Sequence, residues 1–198
     1  EEDMYSKIQF ITTITNVIAV AIENKRLFNR QLEQERLKRE MELAQEVQQM
    51  LIPKEFPSEE GVDIAAIYKP HFNVGGDYID FFHIGPGEYL LCIGDVSGKG
   101  VSAAMLVANF QAIIKSLIVR LDELDELVRV LNESVFAITQ GDRFITFFAA
   151  YVNTKEGVLK YINAGHNPPL LFVDNDVEPR QLSAESTVLG AVRKLPES

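Results

Sequence analysis

Two aspartates in glycine-rich segments are the residues of this chain best suited to chemistry. Asp77 lies in residues 75–80 (GGDYID), and Asp95 lies in residues 94–100 (GDVSGKG). Each aspartate stands at one end of an apolar stretch that predicts a β-strand. Carboxylate oxygens are the ligands that hard cations such as Mg²⁺ and Mn²⁺ prefer, and glycines let the backbone turn sharply and approach a ligand closely. The two segments therefore indicate a divalent metal site.

The apolar run before Asp95 supports this interpretation. Residues 89–93 are apolar on both faces, which predicts a central, buried strand. A buried carboxylate without a partner is costly, and no arginine lies near Asp95 in the sequence. The alternative is that Asp77 and Asp95 are turn residues that accept hydrogen bonds from local backbone amides. Either segment alone fits both interpretations, and their joint occurrence favours the metal.

The end of the second segment is a candidate phosphate site. Residues 98–100 open a predicted helix, and the free amides of a helix N-terminus attract anions. Gly98 and Lys99 are therefore candidate contacts for a phosphorylated substrate, although a solvated surface lysine explains Lys99 equally well. A nucleotide-binding P-loop is excluded, because only three residues separate Gly94 from Gly98 and glycine follows the lysine.

An α+β domain must position these segments. Apolar stretches bounded by turn residues predict strands at residues 63–69, 77–84, 89–94, 144–153, 158–163 and 170–173, and helical periodicity predicts helices at residues 101–117 and 125–137. Short turns such as residues 85–87 (GPG) favour antiparallel pairing. The element order is not the strict alternation of a doubly wound fold.

The N-terminal quarter of the chain predicts a long helix. No glycine or proline occurs between Tyr5 and Leu51. Apolar residues recur at helical spacing, stop between Glu33 and Arg36 and resume out of phase, which indicates a stutter or a kink. Such a helix needs a partner for its apolar stripe. We favour a coiled-coil dimer with a second copy over packing against the helix's own domain.

Composition and charge exclude several classes of protein. The chain has 198 residues and a net charge of −10, which argues against nucleic-acid binding because that function needs a basic surface. The single cysteine, Cys92, lies in an apolar run and is predicted to be buried rather than reactive, which suits a reducing compartment. No uninterrupted run of 18 apolar residues occurs, so we predict no membrane span.

The spacing of the three histidines indicates no chemical role for them. His71, His83 and His166 are scattered and lack the intervals of a zinc site. His166 lies in residues 163–169 (NAGHNPP), where it is predicted to be a loop residue.

Five segments together resemble a known family. They are residues 42–53 (ELAQEVQQMLIP), 75–78 (GGDY), 94–100 (GDVSGKG), 146–148 (TFF) and 163–169 (NAGHNPP). In this order they resemble the SpoIIE/RsbU-type phosphatases, a bacterial branch of the PPM metal-dependent serine/threonine protein phosphatases. Residues 18–28 are similar to the last helix of a GAF sensor domain.

This resemblance implies a fold, a cofactor and a reaction. The fold would be a β-sandwich of antiparallel sheets flanked by helices, and the cofactor a pair of Mn²⁺ or Mg²⁺ ions. Asp77 and Asp95 would be catalytic metal ligands, with the Val96 carbonyl as a further ligand. A water held by the ions would attack the phosphorus of phosphoserine or phosphothreonine. The implied substrate is a STAS-domain anti-sigma factor antagonist, in the cytoplasm of a bacterium.

The resemblance also implies a domain organisation. Residues 1–53 would form a helical linker or dimerisation arm that regulates the enzyme as a homodimer, and residues 57–198 a phosphatase domain. Family members carry further metal-ligating aspartates, one in a Thr-Asp-Gly strand, beyond the position of residues 187–190 (TVLG). We therefore expect a C-terminally truncated domain of weak or absent activity. The alternatives are an inactive regulatory fragment and, on shared metal chemistry alone, a phosphodiesterase or nucleotide hydrolase.

Overall fold

The structure is a computed structural model. It describes residues 2–54, 56, 58–59, 62–69, 74–118, 123–173, 178–184 and 186–195, and His71 lies outside this part of the chain. The chain divides into two compact units, Glu1–Leu43 and Ala44–Ser198. The predicted domain boundary between residues 53 and 57 stays a prediction.

Helix α1 covers Glu2–Leu51 as one continuous element. The predicted long helix is confirmed, and its hydrogen bonding continues through the residues where the apolar stripe changes phase. Large apolar side chains such as Ile11, Val17 and Phe28 are exposed in this single chain. They would suit a helical partner, and the coiled-coil dimer stays a prediction.

Helix α1 is long enough to cross a membrane. Its segment Asp3–Leu51 is the one described helix that is long and apolar enough to do so by length and composition. The predicted absence of a membrane span was based on a different feature, the lack of an uninterrupted apolar run. Core helices and signal sequences meet the same criterion of length and composition, so the absence of a membrane span stays a prediction.

The second unit contains the strands and two further helices. In chain order these elements are β1 (Ser58–Glu59), β2 (Val62–Asp63), β3 (Asp77–Gly85), β4 (Glu88–Val96), α2 (Val101–Leu117), α3 (Leu124–Thr139), β5 (Ile145–Asn153), β6 (Val158–Ala164), β7 (Leu170–Leu171) and β8 (Arg180–Gln181). Strands β3, β4, β5 and β6 form one antiparallel sheet in that spatial order, while β1 pairs with β2 and β7 with β8.

Helices α2 and α3 cover one face of the four-stranded sheet. Each has an apolar stripe at helical spacing, so it buries one side. The core joins these stripes to the inward-facing residues of the strands. Phe110 of α2 is fully buried and packs edge-on against Tyr78 of β3 and Phe147 of β5, with ring centroids 5.4 and 5.2 Å away. These contacts hold α2 against the strands that carry the candidate site.

The predicted α+β fold is confirmed, and one predicted strand is wrong. Both helices and the four strands of the large sheet lie where their periodicity placed them. Within residues 63–69, however, only the first residue belongs to a strand. Residues 64–69 alternate between half-buried and exposed as an extended chain does, but they form no ladder among the described residues. Period-two polarity predicts an extended backbone and cannot supply a neighbouring strand.

Candidate active site

Strands β3 and β4 bring the two candidate aspartates together. Asp77 begins β3, Asp95 lies near the end of β4, and the two are directly opposite in the antiparallel register. Opposite residues project to the same face, with Cβ atoms about 4.5–5.5 Å apart. The two carboxylates therefore lie side by side at one end of the sheet.

The expected burial of Asp95 is wrong. Strand β4 is central in the sheet, but its side chains alternate between the helix-covered face and the opposite face. Cys92 and Val96 are buried under the helices, whereas Ile93 and Asp95 are exposed on the other face. The prediction for Cys92 is confirmed. The burial of Asp95 therefore no longer supports the metal hypothesis, which depends on the geometry of the Asp77 and Asp95 carboxylates.

The paired carboxylates favour a cation. Partial desolvation, and then the charge of Asp95, raise the pKa of Asp77, and nearby His166 opposes this shift. A like charge at this distance disfavours ionisation of the second carboxyl group. A divalent cation between the groups would reverse that effect.

A carbonyl oxygen lies beside the pair. The Val96 amide donates to the Gly76 carbonyl at 3.0 Å. A Cβ built on Gly76 would lie 2.9 Å from the Val96 carbonyl oxygen and 3.6 Å from Asp95 Oδ1. Glycine thus leaves a small space bordered by a carbonyl and a carboxylate oxygen, which are ligands that hard cations use. Asp77, Asp95 and Val96 fit a divalent cation in this respect, and their ligand roles stay predictions.

Two further observations concern how well these residues fit a divalent cation. Tyr68 Oη is buried without a hydrogen-bond partner among the described residues, and burial followed by the charge of Asp77 raises its pKa. A buried hydroxyl of this kind needs a partner such as an ordered water. No group of three or more His, Cys, Asp or Glu side chains that could hold a metal occurs in the described ranges. An ion here would therefore depend on carbonyl and water oxygens as well.

Arg143 holds the segment between β4 and α2. Its guanidinium donates to the Ser97 carbonyl at 2.9 Å and to Ser102 Oγ at 3.2 Å. Gly98 has a φ of +101°, and a Cβ there would collide with this guanidinium. No sequence pattern indicated these contacts, because 46 positions separate Arg143 from Ser97.

The candidate phosphate contacts lie at the start of α2. Its N-cap residue, Gly100, has a φ of +74°, and none of the described side chains caps the helix. The first amides of α2 are therefore oriented for an anion. Gly98 and Lys99 are both exposed; Lys99 has an interaction within the chain, and Gly98 lies beside the Arg143 guanidinium. Phosphate binding by Gly98 and Lys99 stays a prediction.

Thr146 and His166 extend the row of polar residues. Thr146 of β5 is directly opposite Asp95 of β4. Its Oγ1 lies 2.8 Å from His166 Nδ1, and the His166 amide donates to Asn163 Oδ1 at 2.8 Å. Residue type and spacing indicated a role for neither residue, since 20 positions separate them. Their presence in two of the five family-like segments was the only available signal.

The last turn of α1 contacts the turn before β3. Gln48 is 5% exposed, and its side-chain amide makes two hydrogen bonds to the backbone of Gly75. Gln48 Nε2 donates to the Gly75 carbonyl at 2.6 Å, and the Gly75 amide donates to Gln48 Oε1 at 2.9 Å. Gly75 is separated from Asp77 by a single residue, so the end of α1 is tied to the backbone that positions this carboxylate.

A second contact joins α1, α2 and β3. Gln111 Nε2 of α2 donates to the carbonyl of Leu51, the last residue of α1, and to Asp80 Oδ2 of β3, both at 2.7 Å. Asp80 is buried and also accepts from its own neighbour, the amide of Phe81, at 3.0 Å. Lys115 Nζ lies 3.8 Å from the same carboxylate. The buried charge is thus compensated.

Comparisons with known proteins identify the family. The family model described as Stage II sporulation protein E (SpoIIE) matches residues 85–197, which is more than half of the chain. The chain belongs to the SpoIIE family. This SpoIIE-family chain is 30% identical over 190 residues to phosphoserine phosphatase RsbU of Bacillus subtilis (strain 168), covering 96% of the chain and 56% of that protein.

Other relatives of this SpoIIE-family chain are more distant. It is 27% identical to protein IcfG of Synechocystis sp. over 75% of the chain and 28% of that protein. It is 25% identical to phosphoserine phosphatase RsbP of Bacillus subtilis over 80% of the chain and 40% of that protein. The chain thus spans about half the length of RsbU and less of the other two.

Solved structures share the SpoIIE-family fold. The RsbU and RsbW domains of Rv1364c from Mycobacterium tuberculosis match with a TM-score of 0.54 and 25% identity, over 64% of this chain and 36% of that one. The PP2C phosphatase domain with a fragment of the regulatory domain of SpoIIE from Bacillus subtilis matches with a TM-score of 0.52 and 16% identity, over 62% and 36%. The second match supports the fold alone.

Proposed function

We propose that this SpoIIE-family chain is part of a metal-dependent protein phosphatase that hydrolyses phosphoserine or phosphothreonine on a partner protein. The observation that carries the proposal is the cross-strand pair of Asp77 and Asp95 beside the Val96 carbonyl. The similarity to two phosphoserine phosphatases, RsbU and RsbP, supports the same reaction.

The proposed mechanism gives one group of residues a role in metal binding and another a role in phosphate binding. Asp77, Asp95 and the Val96 carbonyl would hold two Mn²⁺ or Mg²⁺ ions, and the lack of a side chain at Gly76 would leave room for them. When bound, such ions supply a nucleophilic water at neutral pH and neutralise charge on the transferring phosphoryl group. The amides at the start of α2, with Gly98 and Lys99 beside them, attract the phosphate of the substrate.

The proposed partner is a phosphorylated STAS-domain anti-sigma factor antagonist. The family resemblance is the support for this substrate, for a bacterial cytoplasmic location and for a homodimer formed through α1. The net charge of −10 gives no support to a nucleic-acid partner. An alternative within the same family is an inactive dimerisation or regulatory fragment.

Phosphopeptide hydrolysis tests the proposed reaction. We expect a version of the chain extended by the further aspartates of the family to release phosphate from a phosphoserine or phosphothreonine peptide in Mn²⁺ or Mg²⁺ and to lose this activity in EDTA, and we expect this chain alone to release little or none. A cyclic nucleotide serves as the control substrate and should remain intact. Hydrolysis that is unchanged by EDTA contradicts the proposal. Metal binding measured by calorimetry, without turnover, supports the inactive fragment instead.

We also propose that α1 regulates the site through Gln48. The two hydrogen bonds from Gln48 to Gly75 support this proposal, because a movement of the last turn of α1 would pull directly on the turn before Asp77. A change in the pairing of α1 with a second copy would provide such a movement.

Replacing Gln48 with Leu tests this coupling. The variant leaves the partly buried amide and carbonyl of Gly75 without their side-chain partner, and the loss of each such hydrogen bond costs about 0.5–1.5 kcal/mol. We expect a lower melting temperature and a roughly tenfold weaker Kd for Mn²⁺ in calorimetry. Gln49→Leu is the matched control, since Gln49 is the exposed neighbour on the same turn. Equal metal affinity in the two variants would contradict the proposed coupling.

A further inference from the structure

Four polar side chains form a continuous group at one end of the sheet. The register aligns Asp77 of β3, Asp95 of β4 and Thr146 of β5. His166 follows β6 and joins the group through the 2.8 Å contact between its Nδ1 and Thr146 Oγ1. Its imidazole is within electrostatic range of both carboxylates. The proposed mechanism uses the two aspartates and leaves Thr146 and His166 without a role.

The loop that carries His166 is held from several sides. Asn163 is fully buried, accepts from the His166 amide and donates to the Leu182 carbonyl at 3.0 Å. Gly165 has a φ of +68°, and a Cβ there would lie 2.6 Å from Val188 Cγ1. The backbone at His166 is therefore fixed by contacts that any larger residue at position 165 would disrupt.

The ring of His166 is fixed as well. Its Nδ1 is engaged by Thr146, so any contact of the ring with a ligand has to use Nε2. Partial burial lowers the pKa of His166, although Asp95 and Asp77 act in the opposite direction. In the tautomer that accepts a hydrogen bond from the Thr146 hydroxyl at Nδ1, the neutral ring carries its proton on Nε2 and can donate a hydrogen bond there.

An oxyanion is a better match for this nitrogen than a metal ion. Mg²⁺ and Mn²⁺ prefer carboxylate, carbonyl and water oxygens to imidazole nitrogen, and the space beside Gly76 already offers such oxygens. The proposed reaction brings a phosphoryl group, which presents several acceptor oxygens, to the same end of the sheet.

We propose that His166, held by Thr146, is a further substrate-binding residue and donates a hydrogen bond from Nε2 to the phosphoryl group. Thr146 is a positioning residue that acts through His166. This inference rests on the proposed function, because it needs a phosphorylated substrate at the carboxylate pair. It adds a contact on the β5–β6 side of the site.

Nuclear magnetic resonance of the histidine rings tests the contact in the unaltered chain. The chain contains only three histidines. We expect inorganic phosphate added in the presence of Mg²⁺ to shift the ring signals of His166. His83 is the internal control, because it lies near the far end of β3 and stacks on Tyr89 with ring centroids 5.2 Å apart. Binding of Mg²⁺ and phosphate without a shift of His166 would overturn the inference.

Variants separate substrate binding from metal binding. In the extended version of the chain, we expect His166→Ala to lower kcat/KM for a phosphopeptide about 100-fold and to leave the Kd for Mn²⁺ within about twofold. His83→Ala should leave both unchanged. A Kd for Mn²⁺ that weakens as much as it does in Asp95→Asn would overturn the inference, because His166 would then be a metal ligand.

The positioning role of Thr146 has its own readout. We expect Thr146→Val to lower kcat/KM about tenfold and to have little further effect in the His166→Ala background, while Thr146→Ser retains the hydroxyl and the activity. Additive effects of the two changes would overturn the role of Thr146. If the chain binds no divalent cation, the proposed function itself is refuted. If His166→Ala hydrolyses the phosphopeptide normally, only this inference is refuted.

Discussion

In a version of the chain extended by the further aspartates of the family, replacing Asp95 with Asn is expected to lower metal-dependent phosphate release by on the order of 10³-fold. The change removes one of the two carboxylates that the register places side by side and keeps the size of the side chain. The cation then loses a negatively charged ligand, so its Kd should weaken as well. Phosphopeptide hydrolysis and calorimetry with Mn²⁺ measure both effects.

In the metal-free chain, Asp95→Asn should change the pH dependence of stability, because it removes a like charge beside Asp77. The pKa of Asp77 is raised above its ordinary value of 3.8 in the fold, so the folded state holds this proton more tightly than the unfolded state does. Stability from this source is greatest below pH 3.8 and is lost as the pH rises through the raised pKa. Asp95→Asn removes the neighbouring charge and should weaken this pH dependence in EDTA.

Asp142→Asn is the matched control for both measurements. Asp142 is exposed in the turn between α3 and β5, so its replacement should change neither hydrolysis nor the pH dependence of the melting temperature. Full activity of Asp95→Asn would exclude a metal held by the carboxylate pair.

Replacing Phe110 with Ala is expected to lower the free energy of unfolding by about 3–5 kcal/mol. The ring is fully buried between α2 and the sheet and makes edge-on contacts with Tyr78 and Phe147. Removing it leaves a cavity under the strands that carry the candidate site. A loss of this size is a large part of the stability of a typical domain.

Urea unfolding monitored by circular dichroism measures this loss. Phe172→Ala is the matched control, because Phe172 is 74% exposed and its ring contributes little to the core. We expect the control to change the free energy of unfolding by less than about 0.5 kcal/mol. A similar result for Phe110→Ala would show that the packing between α2 and the sheet is not a main source of stability.

Elements with a strong periodicity were predictable from the sequence alone. Helix α2 begins and ends at the predicted residues, and the four strands of the sheet differ from prediction by only a few residues at their ends. Apolar periodicity reflects which side of an element is buried, and burial stabilises these elements. Residues 64–69 show the limit of this signal, since a strand also needs a neighbour with which to pair.

The candidate site was predictable in part. Residue type and adjacent glycines identified Asp77 and Asp95, because few residue types can hold a hard cation. The same reasoning misjudged the burial of Asp95, since an apolar run does not reveal whether both faces of a strand are covered.

The sequence by itself determined the elements and the carboxylates, since both depend on local residue type and spacing. The tertiary structure alone decided that Thr146 lies beside Asp95, that His166 reaches Thr146, and that Arg143 covers Gly98. These contacts join residues far apart in the chain. They depend on strand register and loop packing, which arise from the energy of the whole fold and leave no short-range pattern in the sequence.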